Sequence, residues 1–123
     1  MPDRPLKVLV VDDNEALREN LAECLEGEGF EVAEAPNGDV ALEQLAAAEL
    51  APDVVLMDLA MPGLDGRGLA QAIRAHPKLA GLRLVLITGH ADAELSPELP
   101  VDVVLHKPFG MRELLAAMEK SAA

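Results

Sequence analysis

Asp12, Asp13 and Asp58, with a hydroxyl at Thr88 and an ammonium at Lys107, are the side chains in this sequence best suited to chemistry, and all five lie at or just beyond the ends of short apolar runs. Three carboxylates brought together repel one another and raise each other's proton affinity unless a cation sits among them. Mg²⁺ is the natural hard ion for such a set, because it prefers octahedral oxygen coordination, keeps several waters and takes one or two carboxylates plus a phosphate oxygen. Asp13 and Asp58 suit direct ligation, Asp12 ligation through water, and the backbone carbonyl of Ala60 supplies a further oxygen. Phosphoryl transfer needs positioning and charge neutralisation more than covalent help. Lys107 opposite the cation, the Thr88 hydroxyl, and N–H groups near Leu59 and Ala60 would together neutralise the phosphoryl oxygens. Asp58 is then the nucleophile, and a carboxylate nucleophile forms an acyl phosphate.

The apolar runs that must position these groups are residues 7–11, 30–35, 54–57, 84–87 and 101–105. Most are continuous rather than alternating, which suits strands buried on both faces of a parallel sheet. Helical apolar stripes fall between and after them, over residues 15–28, 39–48, 66–75 and 111–121. Between the fourth and fifth strands the Ser96-Pro97 and Leu99-Pro100 pairs leave room for one or two helical turns near 91–95, so that helix is expected to be short or absent. Alternating strands and helices imply right-handed crossovers and an open, doubly wound α/β sheet, whose ligands bind at the carboxyl ends of the strands. One domain over residues 1–123 is expected from the length.

Composition excludes several functions. The core must be aliphatic, since Phe30 and Phe109 are the only aromatic residues, and that leaves no stacking platform for single-stranded nucleic acid. A net charge of −12 repels nucleic-acid backbones and anionic lipid surfaces, so proteins and cations are the expected partners, with no nucleic acid and no membrane. No apolar stretch approaches the roughly 20 residues that span a bilayer, and a cytoplasmic location is expected. Cys24 falls in the apolar stripe of the first helix and reads as a small hydrophobe. Each chemical residue also has a plain structural reading: Asp12 or Asp13 as a helix cap, Asp58 as a turn former before Pro62-Gly63, Lys107 as a surface charge. Their joint placement at strand ends favours the chemical one. His90, two after Thr88, can be a solvent-facing loop histidine; His106 should face away from Lys107.

The blocks Val10-Val11-Asp12-Asp13-Asn14, Leu56-Met57-Asp58-Leu59-Ala60-Met61-Pro62-Gly63-Leu64-Asp65-Gly66, Ile87-Thr88-Gly89-His90 and Lys107-Pro108-Phe109, in that order, resemble the receiver domain of bacterial response regulators. The resemblance extends from Lys7 to about Met118, and it implies for His90 a side chain that can overhang the phosphoryl group, an alternative to the solvent-facing reading. It implies strand order 2-1-3-4-5, a cis Lys107-Pro108 peptide, and phosphorylation of Asp58 by the phosphohistidine of a sensor histidine kinase or phosphotransfer protein, with output to an unidentified downstream protein. It implies a chain that catalyses only its own phosphorylation and dephosphorylation, as a monomer or weak homodimer, either free-standing or as the receiver part of a hybrid kinase. The sequence departs from the family at Val104, where receivers usually carry an aromatic or histidine coupled to the threonine. That departure motivates one alternative, a pseudo-receiver that binds partners without phosphorylation. An aspartyl-phosphate phosphatase would need an acid where Ala60 stands, and a flavodoxin-like binder a less acidic first turn.

Overall fold

The computed structural model describes residues 6–47, 52–89 and 100–122. In chain order these form β1 (Lys7–Val11), α1 (Glu15–Gly27), β2 (Glu31–Ala35), α2 (Gly38–Ala46), β3 (Val54–Asp58), α3 (Gly66–Ala75), β4 (Arg83–Thr88), β5 (Val103–His106) and α4 (Met111–Ala122). The strands form one parallel sheet in the order β2-β1-β3-β4-β5, as the resemblance implies. The second helix ends at Ala46, with Ala47 as its cap, two residues before the expected Ala48; the turns expected near 91–95 and His90 lie outside the described residues.

Strand side chains alternate between the two faces of the sheet, and this parity divides the core. Leu9, Val11, Val55, Met57, Leu84 and Leu86 pack with Leu45 of α2 and Leu69 and Ile73 of α3. The intervening Val8, Val10, Val54, Leu56, Val85 and Ile87 pack with Leu25 of α1 and Leu114 and Met118 of α4. Helices therefore cover both faces, and both parities along a strand must be apolar, which is why the runs are continuous.

Three strand starts differ from expectation, β4 opening one residue early at Arg83. Phe30 precedes β2, because its N–H is taken by the Leu25 carbonyl in the turn that ends α1. Val101 and Asp102 precede β5, and here side chains do the work of the ladder. The Asp102 carboxylate accepts the Leu84 N–H at 2.7 Å, while the Asp102 N–H donates to the Leu84 carbonyl. Asp53 before β3 does the same with Lys7 of β1, its carboxylate accepting the Lys7 N–H at 2.8 Å. Both aspartates open the tetrapeptide Asp-Val-Val-Leu, at 53–56 and 102–105. Arg74 in the last turn of α3 reinforces this amino edge: its guanidinium donates to the carbonyls of Ala80, Leu82 and Pro100 and to the Asp102 carboxylate.

At the opposite, carboxyl edge, α3 starts hard against β3. Asp65 caps the helix by accepting the Gly68 N–H, and the Gly66 N–H donates to the Leu59 carbonyl at 3.0 Å. A Cβ on Gly66 would sit 2.5 Å from the Asp58 carbonyl oxygen, 2.7 Å from Leu86 Cδ1 and 2.9 Å from Leu59 Cα. Only a residue without a side chain allows that approach, so Gly66 sets how closely the helix seats on the strand end that carries Asp58. Gly66→Ala is expected to destabilise by about 1–3 kcal/mol, as overpacking of a rigid contact does. The check is the urea midpoint, which should fall with an unchanged slope; a wild-type midpoint would mean that the helix start shifts freely.

Candidate metal and phosphoacceptor site

Register brings the carboxylates together. Val11 pairs with Met57, so the next residues along the two parallel strands, Asp12 and Asp58, leave the sheet side by side. Asp12 continues the row of Val8 and Val10, Asp58 the row of Val54 and Leu56, and Lys107 follows Leu105 by two, so all three share the parity of the α1/α4 face. Lys107 Nζ lies 3.4 Å from Asp58 Oδ2, and one oxygen from each of Asp12, Asp13 and Asp58 falls within 4.8 Å of the others. Asp12 and Asp58 are buried and Asp13 is exposed, which leaves the cluster an open side. Thr88, buried at the end of β4, accepts the Lys107 N–H on its carbonyl at 2.8 Å and so ties the β5 exit to its neighbour. The Lys107-Pro108 peptide is cis.

The helix-cap reading of Asp12 and Asp13 does not hold. Asn14 caps α1, its side-chain oxygen accepting the Leu17 N–H at 3.0 Å, while Asp12 Oδ1 accepts the Asn14 N–H at 2.9 Å. Capping by the next residue leaves the remaining carboxylate oxygens of the acidic pair available. Ala60 lies exposed in the loop after Asp58, whose start is fixed by the Leu59 N–H donating to the Ile87 carbonyl at 2.8 Å. His106 is exposed, consistent with its opposite parity to Lys107. Val104 packs against the α2/α3-side cluster, on the face away from Lys107. Cys24 is half-buried rather than in the core, and it lines an open groove of about 440 Å³ with Leu17, Leu21, Phe109 and Met111, whose lining also includes Asp12 and Lys107. Arg18, Asp53 and Asp102 have clear structural roles that the sequence reading missed. Arg18 is the single basic residue of an otherwise acidic α1, and the repeated Asp-Val-Val-Leu was the available signal for Asp53 and Asp102.

Burial raises the Asp12 pKa from its ordinary value of 3.8, with the charges of Asp58 and then Asp13 adding to the effect; the Asn14 N–H and Lys107 oppose it. Folding therefore draws a proton to Asp12. The stability this gives is fully present below pH 3.8 and is lost as pH rises through the raised value.

A family model for the response regulator receiver domain matches residues 8–119. The chain belongs to that family. Its relatives include the DNA-binding response regulator MtrA of Mycobacterium tuberculosis, 39% identical over 110 residues that make up 89% of this chain and 47% of that protein. The sensory transduction protein RegX3 of the same species is 34% identical over 109 residues. The chain thus spans about half the length of these relatives. The words DNA-binding in the first name do not agree with the expectation of no nucleic-acid partner; that expectation rests on the charge of the matched receiver half alone. Among solved structures, the chemotaxis protein CheY4 of Vibrio cholerae superposes with a TM-score of 0.85 at 28% identity, covering 95% of this chain and 98% of that one. The response regulator protein TrrA of Thermotoga maritima, in complex with Mg(2+)-BeF, gives 0.83 at 32% identity, covering 94% and 98%.

Receiver domains interact with histidine kinases and generally bind Mg²⁺, and the acidic cluster of this chain has the oxygen donors such an ion requires. The comparisons give no support to the pseudo-receiver alternative. Among the described residues no helix is long and apolar enough to cross a membrane.

The proton balance of Asp12 gives a test on the metal-free receiver. Asp12→Asn keeps the acceptor for the Asn14 N–H but removes the charge, so at pH 7 it should melt above wild type, with the gap narrowing as the pH is lowered toward 4. Equal melting temperatures at pH 7 would show that the Asp12 charge is not under strain in the folded state.

Proposed function

We propose that this receiver is a phosphoacceptor, in which Asp58 takes a phosphoryl group from the phosphohistidine of a sensor histidine kinase or phosphotransfer protein. The observation that carries the reading is Lys107 Nζ, 3.4 Å from Asp58 Oδ2, at a carboxylate cluster opened on one side by Asp13. Asp13 and Asp58 would hold Mg²⁺ directly, Asp12 through water, with the Ala60 carbonyl as a further oxygen. Bound Mg²⁺ supplies the positive charge that offsets the carboxylates and the incoming phosphoryl oxygens.

The Asp58 carboxylate oxygen attacks phosphorus as the phosphorus–nitrogen bond to the donor imidazole breaks, and the imidazole keeps the electron pair. Lys107 follows the charge from the carboxylate to the phosphoryl oxygens, and the Thr88 hydroxyl donates to another of them. Hydrolysis of the acyl phosphate returns the carboxylate and releases inorganic phosphate. The chain catalyses these two steps on itself only, and a cytoplasmic location goes with the reading. Phosphorylation then alters contacts with a downstream protein, by a route that does not use an aromatic side chain at Val104.

Intact mass after incubation with acetyl phosphate tests this directly. Wild type should gain one phosphoryl group only with Mg²⁺, and Asp58→Asn none. An equal adduct on Asp58→Asn would move the acceptor elsewhere; no adduct from acetyl phosphate or from a histidine kinase would favour the pseudo-receiver.

A phosphohistidine reaches Asp58 only if its carrier covers surface beside the site. The groove whose lining includes Asp12 and Lys107 adjoins it, and Leu17, also in that lining, is 46% exposed, the one large hydrophobic residue so exposed among the described residues. Leu17→Glu should slow transfer from a phosphohistidine protein on the order of 10-fold, as loss of a central apolar contact does, while phosphorylation by acetyl phosphate keeps its rate. An equal loss with both donors would assign Leu17 to the site's folding rather than to docking.

A further inference from the structure

We propose that Arg18 is a positioning residue for the metal site, fixing the peptide plane between Asp12 and Asp13 and thereby the directions of both carboxylates. The proposal rests on the metal reading above. The Arg18 Nη1 donates to the Asp12 carbonyl oxygen at 2.9 Å, and its Nε pairs with Glu34 Oε1 at 3.0 Å. The Arg18 side chain is 13% exposed and its bond to the Asp12 carbonyl is partly buried, whereas the Glu34 end of the bridge, 37% exposed, lies at the surface.

The carbonyl of Asp12 and the N–H of Asp13 belong to one rigid plane. Holding the carbonyl oxygen restricts ψ of Asp12 and φ of Asp13, the backbone rotations that set the directions from which the two acidic side chains start. The rest of the turn is already tied: the Asp12 N–H donates to the Ala35 carbonyl at 3.2 Å, Asp12 Oδ1 accepts the Asn14 N–H, and the Arg18 N–H donates to the Asn14 carbonyl. Without Arg18, the plane between these anchors is the free rotation.

Glu34 makes the bridge rigid. It sits in β2 opposite Val10 of β1, so the guanidinium is referenced to the sheet rather than only to its own helix. The planar fork of arginine offers two N–H directions at once, whereas a lysine ammonium at the end of a flexible stem does not reproduce both at fixed spacing.

The experiment is titration calorimetry with Mg²⁺ alone, beside melting of the metal-free protein. Arg18→Lys should raise the Mg²⁺ Kd on the order of 10-fold, as loss of a partner behind a metal ligand does, with a metal-free melting temperature close to wild type. Glu34→Ala should weaken Mg²⁺ in the same direction, and Glu34→Gln, which keeps the acceptor oxygen, should bind nearly as wild type. An unchanged Kd in both Arg18→Lys and Glu34→Ala overturns the proposal, as does a drop in metal-free melting with the Kd intact, which would make the bridge purely structural. Failure of wild type itself to bind Mg²⁺ would overturn the metal reading instead.

Discussion

The mutual repulsion of Asp12, Asp13 and Asp58 is the constraint around which this domain is organised. Carboxylates whose oxygens approach within 4.8 Å do not stay together by preference; the backbone holds them there. Asp12 and Asp58 are neighbours because β1 and β3 are neighbours in parallel register, and that pairing is maintained by apolar side chains packed on both faces of the sheet. Energy from the aliphatic core thus sustains an unfavourable charge arrangement at its edge. Lys107 offsets part of the charge from the β5 side, and a divalent cation is what the remainder requires.

Polar groups around the cluster divide the labour. Asn14 takes the capping of α1, the Ile87 carbonyl fixes the start of the loop after Asp58, and the Thr88 carbonyl fixes Lys107. Each of these is a backbone hydrogen bond satisfied without spending a carboxylate oxygen beyond Asp12 Oδ1. The acidic side chains are consequently left to face one another and the solvent opening at Asp13.

The sheet and its chemical edge were legible in the sequence because both follow from one-dimensional patterns. A strand buried on both faces must be a continuous apolar run, and the first polar residue after it stands at the carboxyl edge; Asp12, Asp58 and Thr88 were found that way, and Lys107 one position further on, after His106. The third helix was read at its observed bounds, since Asp65 and the approach to Pro77 mark its two ends. What escaped were interactions between residues far apart in the chain. Arg18 reaching Glu34, and Arg74 reaching Pro100 and Asp102, leave no periodic trace, because an arginine in a helix looks alike whether it meets water or a carbonyl. Strand starts were misjudged for a related reason: at Asp102 a side chain replaces a ladder bond, which hydropathy does not register. The role of Asn14 was masked by its acidic neighbours, equally good caps by residue type.

The position of β3 at the centre of the sheet carries a mechanical consequence. Every residue of β3 is buried, and the strand is paired with β1 from Val54 to Met57 and with β4 from Val54 to Asp58. Asp58 is therefore the stiff anvil of the site, while Asp13 lies exposed on the β1–α1 connection and Lys107 stands beyond the end of the edge strand β5. A central strand clamped on both edges and both faces is a rigid reference, so a rearrangement at this end of the sheet has to be taken up by the β1–α1 and β5–α4 connections rather than by β3.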